Sequence, residues 1–251
     1  MKVIFHKQFY EVYAGDPAAA AGRMEAMVRV LEGEFEFVEP KPALEGDLER
    51  VHGNQHVRSV KSDSLLYETA ILAAGGAILA GEMAFDGQPA FGLIRPPGHH
   101  ASPHSCWGFC YFNNIAVSIK RLLADGKIKS ALILDFDLHY GDGTANAFDG
   151  SKEVSYFHPE GGNRESFLKD LQQSLETKRP YDIIAVSAGF DRHEEDWGGM
   201  LTTEDYRSIG KWAKEFSLQY CQGRRFGVLE GGYNHSVLGR NVKAFLQGFK
   251  V

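Results

Sequence analysis

Three stretches of this chain are apolar at nearly every position instead of at alternate ones: "SALILDFD" (130–137), "YDIIAVSAG" (181–189) and "RFGVLEG" (225–231). A strand with one wet face alternates, so a run without alternation reads as a strand covered on both faces. "KVIFH" near the start, "AFGLI" (90–94) and "EVSYF" (153–157) fit the same series. Between them lie segments of helical length: 17–32, 64–84, 113–124, 165–176, 203–219 and 235–249. "TTEDYRSIGKWAKEF" opens on Thr202 and Thr203 with acids close behind, as a helix start should. Strand and helix in alternation imply a mainly parallel central sheet flanked by helices, a three-layer α/β fold spanning residues 1–251 as a single domain. Segment 33–47, with its Pro and Gly, reads as a connection. The run "AILAAGGAILAGEMAF" reads as a buried helix, and no window of ~18 uncharged apolar residues spans a membrane.

The formal net charge of -6 argues against a nucleic-acid-binding surface. Three cysteines are too few for a disulfide framework and point to a reducing, cytoplasmic setting. "MKVIFHKQFYEVY" lacks the apolar core of a secretory signal. No membrane partner is expected, and the oligomeric state stays open.

In open α/β sheets, ligands bind beyond the carboxyl ends of the strands. Those ends read "RPPGHH", "DFDLHYGDG", "FDRHEEDWGG" and "EGGYN". Asp135, Asp137 and His139 alternate, and share a face if the strand continues. Asp137 and His139 are either metal ligands or partners in a structural turn. Asp191 is either a third ligand or a turn cap. Together they make the two-carboxylate, one-imidazole set that zinc takes in hydrolytic sites, where it activates water and polarises a carbonyl. His99 and His100 are either a solvated pair or the groups that take and return a proton, with Asp135 and Asp142 holding their far nitrogens. Tyr233, after Gly231 and Gly232, is either a packed ring or a hydrogen-bond donor to a developing oxyanion.

"RPPGHHA", "GFCYFNN", "DFDLHYGDG", "SAGFD" and "LEGGYN" stand in the order and at about the distances seen in histone deacetylases, and "DLERVHGNQHVRSV" is similar to the N-terminal segment of that family. The match is nearest the class II and bacterial branch that includes acetylpolyamine amidohydrolases. The resemblance implies the arginase/deacetylase fold and a zinc ion, or ferrous iron, on Asp137, His139 and Asp191. It makes His100 the main general base and acid and His99 its electrostatic partner, paired with Asp142 and Asp135 respectively. Tyr233 would polarise the acetyl carbonyl. Gly108, Phe109 and Gly232 would bind substrate. A potassium ion would lie on backbone carbonyls of Asp135, Asp137 and His139. The implied reaction is removal of an acetyl or short acyl group from an amine such as acetyl-lysine, an acetylpolyamine or a small metabolite.

The chain also departs from the family. No Phe-Pro-Gly segment follows 153–162, so the channel is either one-sided or closed by another loop. His158 or Pro159 falls where relatives carry a potassium-binding Ser, and Asp63 is the candidate acid for gripping substrate backbone. Tyr140 stands where His is frequent. His104, Cys106, His193, Glu194 and Glu195 read as rim or solvated loop residues. Two further readings are weighed. A manganese ureohydrolase needs a "DxHxD" pattern, which Tyr140 and Gly141 break. A catalytically inactive acyl-lysine-binding module would not need both histidines, Tyr233 and three ligands.

Overall fold

The computed structural model describes residues 1–176 and 180–250. Its strands are β1 (Lys2–Ile4), β2 (Glu36–Val38), β3 (Ala90–Gly92), β4 (Ala131–Asp135), β5 (Val154–Phe157), β6 (Ile183–Ala188) and β7 (Arg225–Leu229). All pair in parallel, in the order β2-β1-β3-β7-β6-β4-β5. The unalternating runs are the interior strands: β4, β6 and β7 are buried at every position. The helices are α1 (Arg23–Leu31), α2 (Glu45–Leu48), α3 (Asn54–Lys61), α4 (Ser64–Phe85), α5 (Asn114–Ala124), α6 (Asp142–Ala147), α7 (Arg164–Ser174), α8 (Thr203–Tyr220) and α9 (His235–Phe249).

The register shows that both faces are covered. Ala90 pairs with Phe226 and Phe91 with Gly227, so the two phenylalanines point to opposite faces. The Phe91 ring meets Phe245 of α9. Phe226 packs beside Gly81 of α4. Helices α8 and α9 pack together on one side with α1, and α4 packs on α5 on the other. Helix α4 is long and apolar enough to cross a membrane by composition, yet here it is mostly buried and packs on β3 and β7 of the sheet. Its small residues allow that approach, since a Cβ on Gly76 would come within 2.7 Å of Ile94.

Some boundaries differ from the sequence reading. The expected helix 17–32 is split: Pro17–Ala19 forms a 3-10 turn, Gly22 adopts φ +85°, and α1 starts only at Arg23. The connection 33–47 contains the edge strand β2 and the start of α2. A three-residue strand at a half-exposed edge leaves almost no pattern to read. Helices α2, α3 and α6 are likewise too short to show a full amphipathic period. Strand β4 stops at Asp135, so Asp137 and His139 lie on an irregular loop and not on one face of a continuing strand.

Candidate active site

Beyond the carboxyl ends of β3, β4, β6 and β7 lies a cavity of about 130 Å³. His99, His100, Gly108, Phe109, His139 and Tyr233 line it, closed off by Pro97, Gly231 and two tryptophans, Trp107 and Trp197. Residues from four loops, up to 136 positions apart in sequence, therefore meet at one place.

Asp137, His139 and Asp191 offer ligand atoms that all lie within 4.8 Å of one another. His139 Nδ1 is 3.3 Å from Asp137 Oδ1 and 3.2 Å from Asp191 Oδ2. The Gly231 N–H donates to Asp137 Oδ2 at 2.8 Å and the Leu138 N–H to Asp191 Oδ1 at 3.0 Å. Asp191 Oδ2 is buried and accepts no well-directed hydrogen bond, although His139 is near. Both carboxylates are essentially inaccessible. Burial, then the Asp137 charge, raises the pKa of Asp191. Burial also acts on Asp137, but His99 and hydrogen bonds from His139 and Gly231 hold it low. Hydrogen bonds to Asp137 and Asp191 lift His139 to about 10. A position that draws charge onto an imidazole so strongly favours a cation, and two carboxylates with one imidazole suit a divalent transition metal. Gly231 has to be glycine, because a Cβ there would lie 2.6 Å from Asp137 Oδ2 and 2.8 Å from Asp191 Oδ2.

The tandem histidines are held from three sides. Glu230, fully buried at the end of β7, accepts the N–H groups of Gly98 (2.7 Å) and His99 (3.2 Å) through Oε2, and the Ser187 hydroxyl (3.0 Å) through Oε1. Burial lifts this carboxyl to about 7. Helix α6 packs against the backbone of the pair, with Thr144 N–H donating to His99 O at 3.0 Å. His99 Nδ1 meets Asp135 Oδ2 at 3.1 Å, and His100 Nδ1 meets Asp142 Oδ1 at 2.7 Å. Burial opposes charge on His99, but Asp137 and Asp135 outweigh it and raise its pKa well above the usual value. Burial and the neighbouring His99 lower His100 instead, despite Asp142. With Nδ1 facing the Asp142 carboxylate, that nitrogen is placed to donate, which leaves Nε2 to act as an acceptor.

Tyr233 stacks on Trp197, with ring centroids 4.0 Å apart. Its main-chain N–H donates to Asp196 Oδ2 at 2.8 Å. Burial, then Asp137 and Asp191, pushes its pKa up, so the hydroxyl keeps its proton and can donate it in a hydrogen bond. Gly108 and Phe109 both take left-handed backbone conformations, φ +58° and +66°. Gly108 lies against the His100 ring, where a Cβ would overlap Cδ2. The cavity is lined by Gly231 rather than Gly232. Gly232, at φ +120°, is buried beside it, and its carbonyl accepts from Arg23 Nε at 2.9 Å.

Other expected residues fall outside the cluster. His193 is not a solvated rim residue: it is fully buried, and its Nδ1 accepts the Glu195 N–H at 3.1 Å. His104, Glu194 and Glu195 are exposed and Cys106 half-buried. Asp63 caps α4 through the Leu66 N–H. The Tyr156 hydroxyl donates to Asp135 Oδ2 at 2.9 Å. Besides Tyr156, five contributors escaped the sequence reading. Trp107 packs on the His100 ring at 3.9 Å and donates Nε1–H to Asp142 Oδ2 at 2.8 Å. Trp197, from the loop after β6, supplies the wall that the short segment after β5 does not. Glu230 and the buried Arg23 hold backbone, the latter also donating to Glu230 O at 2.6 Å. Arg192 lies beneath the Asp137–Leu138 backbone. The "HSCWGFC" and "EEDWGG" stretches held a signal, a lone Trp beside glycines next to a reading already centred on His100 and Asp191.

A parallel α/β fold with a carboxylate–imidazole cluster able to hold a metal ion, a carboxylate-held imidazole and a tyrosine at its strand ends fits the deacetylase class of hydrolases. The comparisons agree. A family model described as histone deacetylase domain matches residues 18–167 and 159–249. A probable deacetylase of Methanothermobacter thermautotrophicus is 32% identical over 98% of this chain and 90% of its own. A histone deacetylase-like amidohydrolase of Pseudomonas aeruginosa is 28% identical over 88% of this chain and 75% of its own. The crystal structure of the HDA15 HD domain superposes with a TM-score of 0.83 at 24% identity, over 99% of this chain and 90% of that one. This chain belongs to the histone deacetylase family.

Proposed function

We propose that this protein is a zinc-dependent amidohydrolase that removes an acetyl or other short acyl group from a primary amine. The observation that carries the reading is that the Asp137–His139–Asp191 cluster meets, through His139, the small cavity that His100 and Tyr233 also line, with His100 held at Nδ1 by Asp142. Those three ligands would hold the zinc ion, which when bound would acidify water and polarise the acyl carbonyl.

The chain's own residues account for the rest. His100 Nε2 takes a proton from the attacking water, and the resulting imidazolium is stabilised through Nδ1 by Asp142. The same ring returns the proton to the amine as the C–N bond breaks. Tyr233 donates a hydrogen bond to the carbonyl oxygen as it gains charge. Trp107, Phe109 and Trp197 keep bulk water from the acyl group and line the path of its apolar stem. The water is the nucleophile, so no acyl-enzyme forms.

Half-exposed Trp107 and Trp197 leave the mouth open, which favours a slender amine stem, either a lysine side chain or a free small molecule. The free thiols of Cys106, Cys110 and Cys221 fit a cytoplasmic site of action. The test is acetate release from an acetyl-lysine peptide and from an acetylpolyamine, using metal-free protein reconstituted with zinc or ferrous iron. Zinc-dependent turnover that Tyr233→Phe abolishes supports the reading, and the faster substrate defines its class. A full equivalent of bound zinc without turnover of any acylated amine would leave a binding module.

A further inference from the structure

The family resemblance calls for potassium on backbone carbonyls of Asp135, Asp137 and His139, and this chain puts a side chain of its own on one of them, that of Asp137. Arg192 directly follows Asp191 in "SAGFDRH". Its guanidinium is almost wholly buried. Nε–H donates to the carbonyl of Asp137 at 3.0 Å and Nη2–H to that of Leu138 at 3.2 Å. Nη2 also donates to His158 Nε2 at 3.1 Å. The Cζ of the guanidinium lies 4.3 Å from the centroid of the Phe167 ring on α7. Asp135, Asp137 and Asp191 are the charges that face it.

Potassium is held by several carbonyl oxygens that together replace its water shell. Here the Asp137 carbonyl already accepts a charged donor, and an ion on it would stand against a buried guanidinium of the same sign. The short β5–α7 connection explains how Arg192 fits: Phe167 reaches under the loop and gives the guanidinium a flat apolar floor. Arginine suits the place because it is always charged and presents donors in a rigid fork.

We propose that Arg192 is a built-in replacement for the monovalent cation, so that this enzyme neither binds nor needs potassium, and that Arg192 acts as the positioning residue for the Asp137–His139 loop. The proposal deepens the reading of the same site, but its test reads cation binding and not turnover alone, so either can fail without the other.

The experiment uses the zinc-loaded chain at fixed ionic strength in potassium, sodium or tetramethylammonium chloride. Thermal unfolding is followed in each, and thallium(I) serves as a potassium surrogate in anomalous diffraction. Wild type should show the same Tm in all three salts and no thallium at the Asp137 carbonyl. Arg192→Ala should unfold earlier in sodium and recover by about 3–5 °C in potassium alone, with zinc content and any turnover rising in parallel. A saturable, potassium-selective rise in the wild-type Tm, or thallium bound at that carbonyl, would overturn the proposal. So would an Arg192→Ala protein with wild-type Tm and zinc content in every salt. Should that variant not fold, the two wild-type measurements decide alone.

Discussion

Nδ1 of His100 lies 2.7 Å from Oδ1 of Asp142. The other oxygen of the same carboxylate accepts the indole N–H of Trp107, whose ring also covers the imidazole. One acid thus fixes both the tautomer of the proposed base and the aromatic lid above it. Asp142→Asn keeps the shape but allows the amide to present either face to the ring. We expect kcat/KM to fall about 10²-fold with zinc content unchanged, measured by steady-state acetate release and metal analysis. Turnover within twofold of wild type would remove the orienting role.

The pH profile follows from the same pair. The base must be neutral, so activity is lost as pH falls through the His100 pKa. Burial and His99 hold that pKa below the usual imidazole value, while Asp142 raises it in part. The acid limb of kcat/KM should therefore lie below about 6.5, and in Asp142→Asn it should move further down, since the raising partner is gone. A limb above pH 7, or an upward move in the variant, would contradict the assignment.

Tyr233→Phe removes only a hydroxyl and leaves the stack on Trp197 in place. If that hydroxyl meets the substrate carbonyl as charge develops, kcat should fall by about 10²–10³, with KM and bound zinc little changed. A rise in KM at constant kcat would instead make Tyr233 a ground-state contact.

Removal of the metal should be costly because Asp137 and Asp191 are both buried and Asp191 Oδ2 lacks a well-directed donor. Chelation is expected to lower Tm by roughly 5–15 °C and to abolish turnover, with zinc restoring both. In Asp191→Ala the zinc equivalent itself should be lost. Retention of stoichiometric zinc by that variant would point to a different ligand set.

Trp197→Ala takes away one wall of the cavity and the stacking partner of Tyr233. Acetyl-substrate kcat/KM should drop about 3–10-fold, while longer acyl groups gain relative to acetyl. An unchanged acetyl-to-butyryl ratio would show that Trp197 does not bound the acyl site.

Much of this was legible before any coordinates. The unalternating runs at 130–137, 181–189 and 225–231 become β4, β6 and β7 because burial on both faces leaves no place for a polar residue. Helix α9 covers the 235–249 expected of it, since its apolar positions repeat over four turns. Asp137, His139, Asp191 and the two histidines could be picked out because they follow apolar strands, where unpaired polar groups are expensive. What stayed hidden were contacts between segments far apart in the chain. No local pattern tells that Glu230 holds the backbone of His99, or that Arg23 holds Gly232. His193 looked like a loop histidine among exposed acids, and only the packing of α8 buries it against Tyr206.

Sequence alone therefore determined every strand but the edge strand β2, the layering and the chemical types gathered at the strand ends, because those depend on periodicity and on the cost of burying polar atoms. Tertiary structure decided which atoms meet. It set the carboxylate of Asp142 between His100 and Trp107, placed Trp197 where a longer loop was missing, and laid the Arg192 guanidinium on the Asp137 carbonyl. Each of these rests on distances of about 3–4 Å between segments that only the folded sheet brings together.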